Sequence, residues 1–277
     1  MDAPNAIVSM QASRGWKDEL RATLALAWPL MLANLTMQLI QATDVVLLGW
    51  LGAKELAAAA LALSLSFGMI LFALGVLTAS SPMIASALGE RFNAVRDVRR
   101  TFRQSLWAAA LMTVPTLIVL WNAEPIILAF GQDPELARLA AWFLKGYMWV
   151  IPPWMLFQCM RNFVSALERP RWVLVISAAG IPLNALVSWS LIFGKLGMPK
   201  LGLIGGGIGS SIVWAAMALA LFIVILTDRQ FRRFHLFGRF WRPDWPRFRQ
   251  LFRLGGPIGL TMGFEGGVFS AAAYLMG

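Results

Sequence analysis

Apolar residues in this chain come in seven long blocks, with charge bunched between the blocks rather than spread along amphipathic segments. A bilayer core about 30 Å thick takes roughly 20 apolar residues at a helical rise of about 1.5 Å. Cut at its charged clusters, the chain offers helical spans near Leu24–Trp50, Leu56–Leu88, Ser105–Phe130, Leu139–Met160, Val173–Phe193, Leu203–Leu226 and Leu254–Gly277. Asn34, Gln38, Gln41 and Asp44 interrupt the first block, and no small-residue cleavage site follows a short apolar core, so it reads as a membrane helix and not a signal peptide. The pattern predicts an all-α, polytopic membrane protein.

Composition agrees: 58% of the 277 residues are hydrophobic and 14% charged, well short of the charge a soluble domain carries. The net charge of +10 reflects 24 Lys and Arg against 14 Asp and Glu, and its distribution decides what it means. Nineteen of the 24 fall in alternate connections: the N-terminal segment, the second and fourth loops, and above all the sixth, from Arg229 to Arg253. The opposite side holds Lys54, Arg138, Lys145, Lys195 and Lys200. This asymmetry places the N-terminus and the sixth loop in the cytoplasm. It also explains the charge without nucleic acid. Trp241 and Trp245 among the arginines of 239–253 suggest an interfacial amphipathic helix on anionic headgroups rather than a base-stacking surface. With one cysteine, Cys159, and one histidine, His235, the chain has no disulfide framework and no multi-Cys metal site.

Prolines 29, 82, 115, 152, 153 and 182 lie within or near the ends of the expected helices and should bend or break them. Gly205, Gly206, Gly207 and Gly209 have neither a preceding strand nor a following Lys-Ser/Thr, so they read as a close-packing surface and not a phosphate loop. Sliding the seventh span over the first by 228 residues aligns Leu26 with Leu254, Pro29 with Pro257, Leu47 with Leu275 and Gly49 with Gly277. Six helices intervene, so the units would be parallel repeats about an axis along the membrane normal, with a substrate cavity between two lobes. The expected organisation is a cytoplasmic segment 1–23, a six-helix lobe 24–226, a basic interlobe loop 227–253 and the first helix of a second lobe 254–277. On this reading the chain is a truncated piece of a two-lobed protein that does not transport alone.

Ionisable residues inside a membrane are costly, about 2.5–3.5 kcal/mol each on insertion scales, and so point to function. Asn34, Gln38, Gln41 and Asp44 fall within an arc of about 120° at 100° per residue, a polar stripe that should face a cavity. Glu265 lies about ten residues into the seventh span with Thr261 one turn before it. A carboxylate in such a place can bind and release a proton or hold a hard cation such as Na⁺. Ser177, Asn184 and Ser188 make a second stripe, able to complete the hydrogen bonding of Asp44 or to serve as interhelical glue. Methionines among the 14 present suit an adaptable apolar cavity.

The run Gln41-Ala-Thr-Asp44, then Gly49, Leu51-Gly52 and Glu55-Leu56-Ala-Ala, resembles the first-helix signature of the multidrug and toxic compound extrusion transporters. Arg169-Pro170, Asn184, Phe193-Gly194, Leu201-Gly202 and the glycines through Gly209 resemble it further, and Gly263-Phe264-Glu265 is similar to the glutamate position of the NorM-like branch. The resemblance runs from Leu20 onward. It implies a twelve-helix antiporter that exports organic cations and other amphipathic compounds in exchange for H⁺ or Na⁺, with no cofactor and no obligate protein partner, working among membrane lipids. It also implies that Asp44 and Glu265 couple the cation, with Asn184 matching the fifth-helix asparagine. Ser188 stands where relatives often have Asn or Asp, and the tenth-helix acidic partner of the glutamate falls beyond Gly277. Two other readings are a lipid or lipid-linked oligosaccharide flippase of the same superfold, which would want a basic cavity, and an intramembrane hydrolase using Asp44 and Glu265 as an acid pair.

The charge asymmetry makes a direct prediction about sidedness. A cysteine replacing His235 should react with an impermeant maleimide only after the membrane is opened; labelling from outside intact cells would reverse the assignment.

Overall fold

The computed structural model describes residues 16–90, 94–236 and 244–276, and these form helices joined by short turns. In chain order the helices are α1 (Trp16–Leu51), α2 (Ala53–Thr78), α3 (Ser80–Gly89), α4 (Ala94–Trp121), α5 (Ala123–Ala129), α6 (Pro134–Tyr147), α7 (Ile151–Ala166), α8 (Arg171–Phe193), α9 (Leu203–Thr227), α10 (Arg229–Arg232) and α11 (Trp245–Met276). The protein is an all-α polytopic membrane protein. Met31–Leu51, Ala53–Gly89, Ala94–Trp121, Arg171–Phe193 and Leu203–Thr227 are each long and apolar enough to cross a membrane. Most of the expected segment 1–23 lies outside the described residues; from Trp16 onward it is already α1.

Prolines mark the interruptions. The second span divides at Ala79, three residues before Pro82, whose missing N–H frees a carbonyl of the preceding turn. Asn162 of α7 pins the break by donating through Nδ2 to the Leu77 carbonyl at 2.8 Å and to Ser80 Oγ at 3.2 Å. In the fourth span a 3-10 turn, Met148–Val150, separates α6 from α7 just ahead of Pro152 and Pro153. Pro115, Pro182 and Pro257 instead sit inside continuous helices.

The sixth connection differs from the open basic loop expected over 227–253. Asp228 caps α10 by accepting from the Gln230 amide, and α11 begins at Trp245, so the basic residues from Arg247 to Arg253 form the first turns of the long helix α11 and not a separate interfacial helix. Residues 237–243, with Trp241, lie outside the described part. Phe231, Phe234 and Leu236 are buried. The rings of Phe231 and Phe234 meet Phe163 edge-on at 5.8 and 5.7 Å, and Phe163 meets Phe102 at 5.5 Å. Arg99 donates to the Phe234 carbonyl, Arg100 pairs with Asp244, and Arg247 pairs with Asp97 at 3.1 Å. The connection is thereby fastened to the start of α4 and the end of α7.

In lipid there is little hydrophobic drive between helices, so association depends on close backbone approach through small residues. Helix α11 lies on α2 in this way. A Cβ added at Gly75 would stand 2.4 Å from the Gly259 Cα, one at Gly255 2.5 Å from the Val76 carbonyl oxygen, and one at Gly259 2.6 Å from the Phe72 carbonyl oxygen.

Gly75→Leu should therefore force α11 off α2 and lower stability by about 1–3 kcal/mol, the usual range for overpacking. Gly256→Leu, which meets nothing within 4 Å, should leave the thermal midpoint in detergent nearly unchanged. Equal effects at the two positions would contradict this packing.

Candidate functional site

Three helices each bring a pair of groups one turn apart to a common point inside the bundle. Helix α1 supplies the Ile40 carbonyl and Asp44, α8 supplies Asn184 and Ser188, and α9 supplies the Gly206 carbonyl and Ser210. Asn184 Nδ2 donates to Asp44 Oδ1 at 2.7 Å and to the Ile40 carbonyl at 3.3 Å. Ser210 Oγ stands 2.8 Å from Asp44 Oδ2 and 3.0 Å from the Gly206 carbonyl oxygen. Ser188 Oγ lies 3.5 Å from Asp44 Oδ1 and 3.4 Å from Asn184 Oδ1. Asn184, Ser188 and Ser210 are buried and Asp44 is half-buried. Among the described residues no Lys or Arg forms an ion pair with Asp44. The carboxylate is held by neutral donors alone.

Glycine makes this convergence sterically feasible. A Cβ at Gly205 would sit 2.7 Å from the Leu191 carbonyl oxygen, at Gly207 2.6 Å from the Tyr147 nitrogen, at Gly209 2.6 Å from Ser188 Oγ and at Gly206 3.1 Å from Leu48 Cδ2. The run thus lets α9 lie against α8, α6 and α1 together. Ser210, one residue past the run, is a partner of Asp44 that sequence reasoning missed. Its signal was its place immediately after Gly209 and one turn from Gly206.

The first-helix stripe divides. Asp44 turns inward, whereas Asn34, Gln38 and Gln41 are exposed on the same helix toward its N-terminal end. Asn34 accepts a hydrogen bond from Arg161 Nη2 of α7, and Arg161 Nη1 lies 3.4 Å from Met37 Sδ. Ser177 is buried, but its hydroxyl has no partner and takes no part at Asp44. Glu265 is exposed on α11, which packs against α2, α3 and α4 rather than beside the Asp44 cluster. The Thr261 hydroxyl donates back to the Pro257 carbonyl at 3.0 Å. Beside Glu265, a cleft of about 380 Å³ opens between α2, α4 and α11, lined by Met69, Phe72, Met112, Leu260 and Phe264 among others.

The chain has recognisable relatives. The MatE family model matches residues 29–190, more than half of the chain. The chain belongs to the MatE family. Within that family it is 48% identical over 262 residues to the probable multidrug resistance protein NorM of Mesorhizobium japonicum, and 43% identical to that of Brucella suis. Each match takes in 95% of the chain and 56% of the relative. The eukaryotic MATE transporter AtDTX14 shares the fold with a TM-score of 0.80 at 19% identity, over 92% of this chain and 56% of that one. The chain therefore spans about half the length of the MatE relatives it matches.

The hydrogen bonds set an order of effects. Asn184→Leu strips a donor from both Asp44 Oδ1 and the Ile40 carbonyl and should cost about 2–3 kcal/mol, whereas Ser210→Ala, which removes one hydroxyl, should cost about 1 kcal/mol. Denaturation of the purified protein in mixed micelles measures both; a larger effect of Ser210→Ala would contradict the geometry.

Proposed function

We propose that the protein carrying this chain is a secondary multidrug antiporter of the bacterial inner membrane, with its N-terminus in the cytoplasm, exporting organic cations and other amphipathic small molecules in exchange for H⁺ or Na⁺. The observation that carries this reading is a membrane-embedded carboxylate, Asp44, held by Asn184, Ser188 and Ser210 with no cationic partner among the described residues. Uncompensated negative charge in a medium of low dielectric attracts a cation strongly. A proton, a sodium ion and an organic cation then compete for one carboxylate, and competition is the simplest physical basis for exchange. Names of the relatives, probable multidrug resistance proteins, support the same reading.

The hydroxyls suit a group that changes charge. The single proton of Ser210 can point to Asp44 Oδ2 or to the Gly206 carbonyl, and that of Ser188 to Asp44 Oδ1 or to Asn184 Oδ1. Each donates to the carboxylate when it is charged and turns to its second acceptor when it is neutral. Buried donors thus avoid being stranded in either state, an outcome that would cost about 1–3 kcal/mol for each group. Glu265, exposed beside the apolar cleft, is proposed as a second cation-coupling carboxylate. Asn34, Gln38 and Gln41 are proposed as polar lining on the route from the cytoplasm. The acid-pair hydrolase is disfavoured because Glu265 is not among the partners of Asp44. A flippase reading has one guanidinium, Arg161, bonded to the stripe, well short of a basic cavity.

Asp44→Asn keeps the shape of the side chain and fixes it neutral. It should leave expression and folding nearly intact, weaken binding of a cationic dye on the order of tenfold, the equivalent of about 1.4 kcal/mol, and abolish drug resistance in cells lacking other exporters. Ion-driven efflux of the dye by a normally folded Asp44→Asn protein would shift the coupling role to Glu265.

A further inference from the structure

Arg161 is the arginine that reaches the polar stripe of α1, and it is held differently from the ion-paired arginines at the start of α4. There, Arg100 and Arg247 are neutralised by Asp97 and Asp244. The Arg161 guanidinium instead rests on a neutral amide, Asn34 Oδ1, and on the thioether of Met37. No carboxylate lies within ion-pair distance of it among the described residues. An amide oxygen orients a guanidinium without cancelling its charge. A guanidinium carries five N–H donors in a planar fork that matches a carboxylate or phosphate in bidentate fashion, and the two contacts to α1 occupy only part of that fork.

Position adds the rest. Arg161 stands about one and a half turns before the C-terminal end of α7, and Asn34 lies ten residues before Asp44, about 15 Å along the helix axis at 1.5 Å per residue. Snorkelling would aim the side chain at the headgroups, but both recorded contacts turn it toward α1. Helix α1 therefore meets a positive charge at its Asn34 turn and carries a negative charge about 15 Å further along.

We infer that Arg161 is a specificity-determining residue that engages the anionic group of dipolar substrates, those carrying a carboxylate or similar oxyanion together with the cationic group drawn to Asp44. Asn34 is its positioning residue. The inference rests on the multidrug-export reading and adds to it a reason for zwitterions to be accepted beside simple cations. An anionic lipid phosphate offers the fork the same chemistry, so the test separates the two sources.

The test uses the full reading frame that contains this chain, purified into phosphatidylcholine nanodiscs, and two matched dyes: tetramethylrhodamine with a free carboxylate, and its methyl ester, a simple cation. Fluorescence anisotropy gives both dissociation constants. Loss of one charge-assisted bidentate contact should weaken zwitterion binding by Arg161→Gln about tenfold, with the ester changed less than about twofold. Arg161→Lys, which keeps the charge and loses the fork, should fall between. Asn34→Ala, which frees the guanidinium without removing it, should weaken the zwitterion alone by about threefold, and it serves as the deciding variant should Arg161→Gln not fold. Equal weakening of both dyes, no weakening of the zwitterion, or an Arg161 effect that emerges only with phosphatidylglycerol present would each overturn the assignment. Wild-type protein that binds neither dye would overturn the export reading and this inference with it; binding of both dyes with no selective loss in the variants overturns this inference alone.

Discussion

Close approach of three neighbouring helices around the glycine-rich start of α9 is the constraint on which the site depends. In a bilayer the hydrophobic effect does little to bring helices together, and a buried polar group finds no water. Both problems are met at Gly205, Gly206, Gly207 and Gly209, which let the backbones of α8 and α6 and the Leu48 side chain of α1 come up against α9. That proximity brings Ser210 to 2.8 Å from Asp44 Oδ2 while α8 brings Asn184 to 2.7 Å from Oδ1. Were α9 displaced by the width of a side chain, the carboxylate would keep its desolvation cost and lose part of its compensation. Packing and chemistry are therefore one feature here.

A second glycine seam, between α2 and α11, has a different character. It joins the seventh helix to the second through Gly75, Gly255 and Gly259, beside a cleft that is nearly all apolar. At the polar end of this assembly Asp97, Asp244, Arg100 and Arg247 pair and Phe163 gathers Phe102, Phe231 and Phe234 around it. The start of α11 is consequently tied to the bundle by rings and charges, and its membrane portion by backbone contact. Two arginines and two aspartates are used in these internal pairs, which add nothing to the net charge of +10.

The two carboxylates singled out by membrane depth have unlike surroundings. Asp44 is enclosed by neutral donors from α8 and α9; Glu265 is exposed beside Phe264 and the apolar cleft. Depth alone treats them as equivalents. Only the neighbouring helices distinguish a carboxylate already placed among hydrogen-bond donors from one that faces outward.

Much of this protein was legible from one dimension. Span length and hydropathy located the membrane helices because a bilayer sets a minimum apolar length, and the observed helices match the expected spans to within a few residues at most ends. The exceptions are informative: α1, α4 and α11 all begin further back, in the basic flanks, since charge ends an apolar run without ending a helix. Period-3.6 reasoning put Asn184 and Ser188 on one face and joined Asp44 to a polar stripe, because residues three to four apart share a face whatever packs there. The same reasoning could not tell that Asp44 is the inward edge of that stripe while Asn34, Gln38 and Gln41 stay exposed, nor that Ser177, on the same face as Asn184, would lack a partner. Ser210 and Arg161 were hidden for a related reason. Each acts on α1 across more than 120 residues of chain, and which helix lies beside which is decided by the fit of glycine surfaces to one another, a property of pairs of helices that no single stretch of sequence contains.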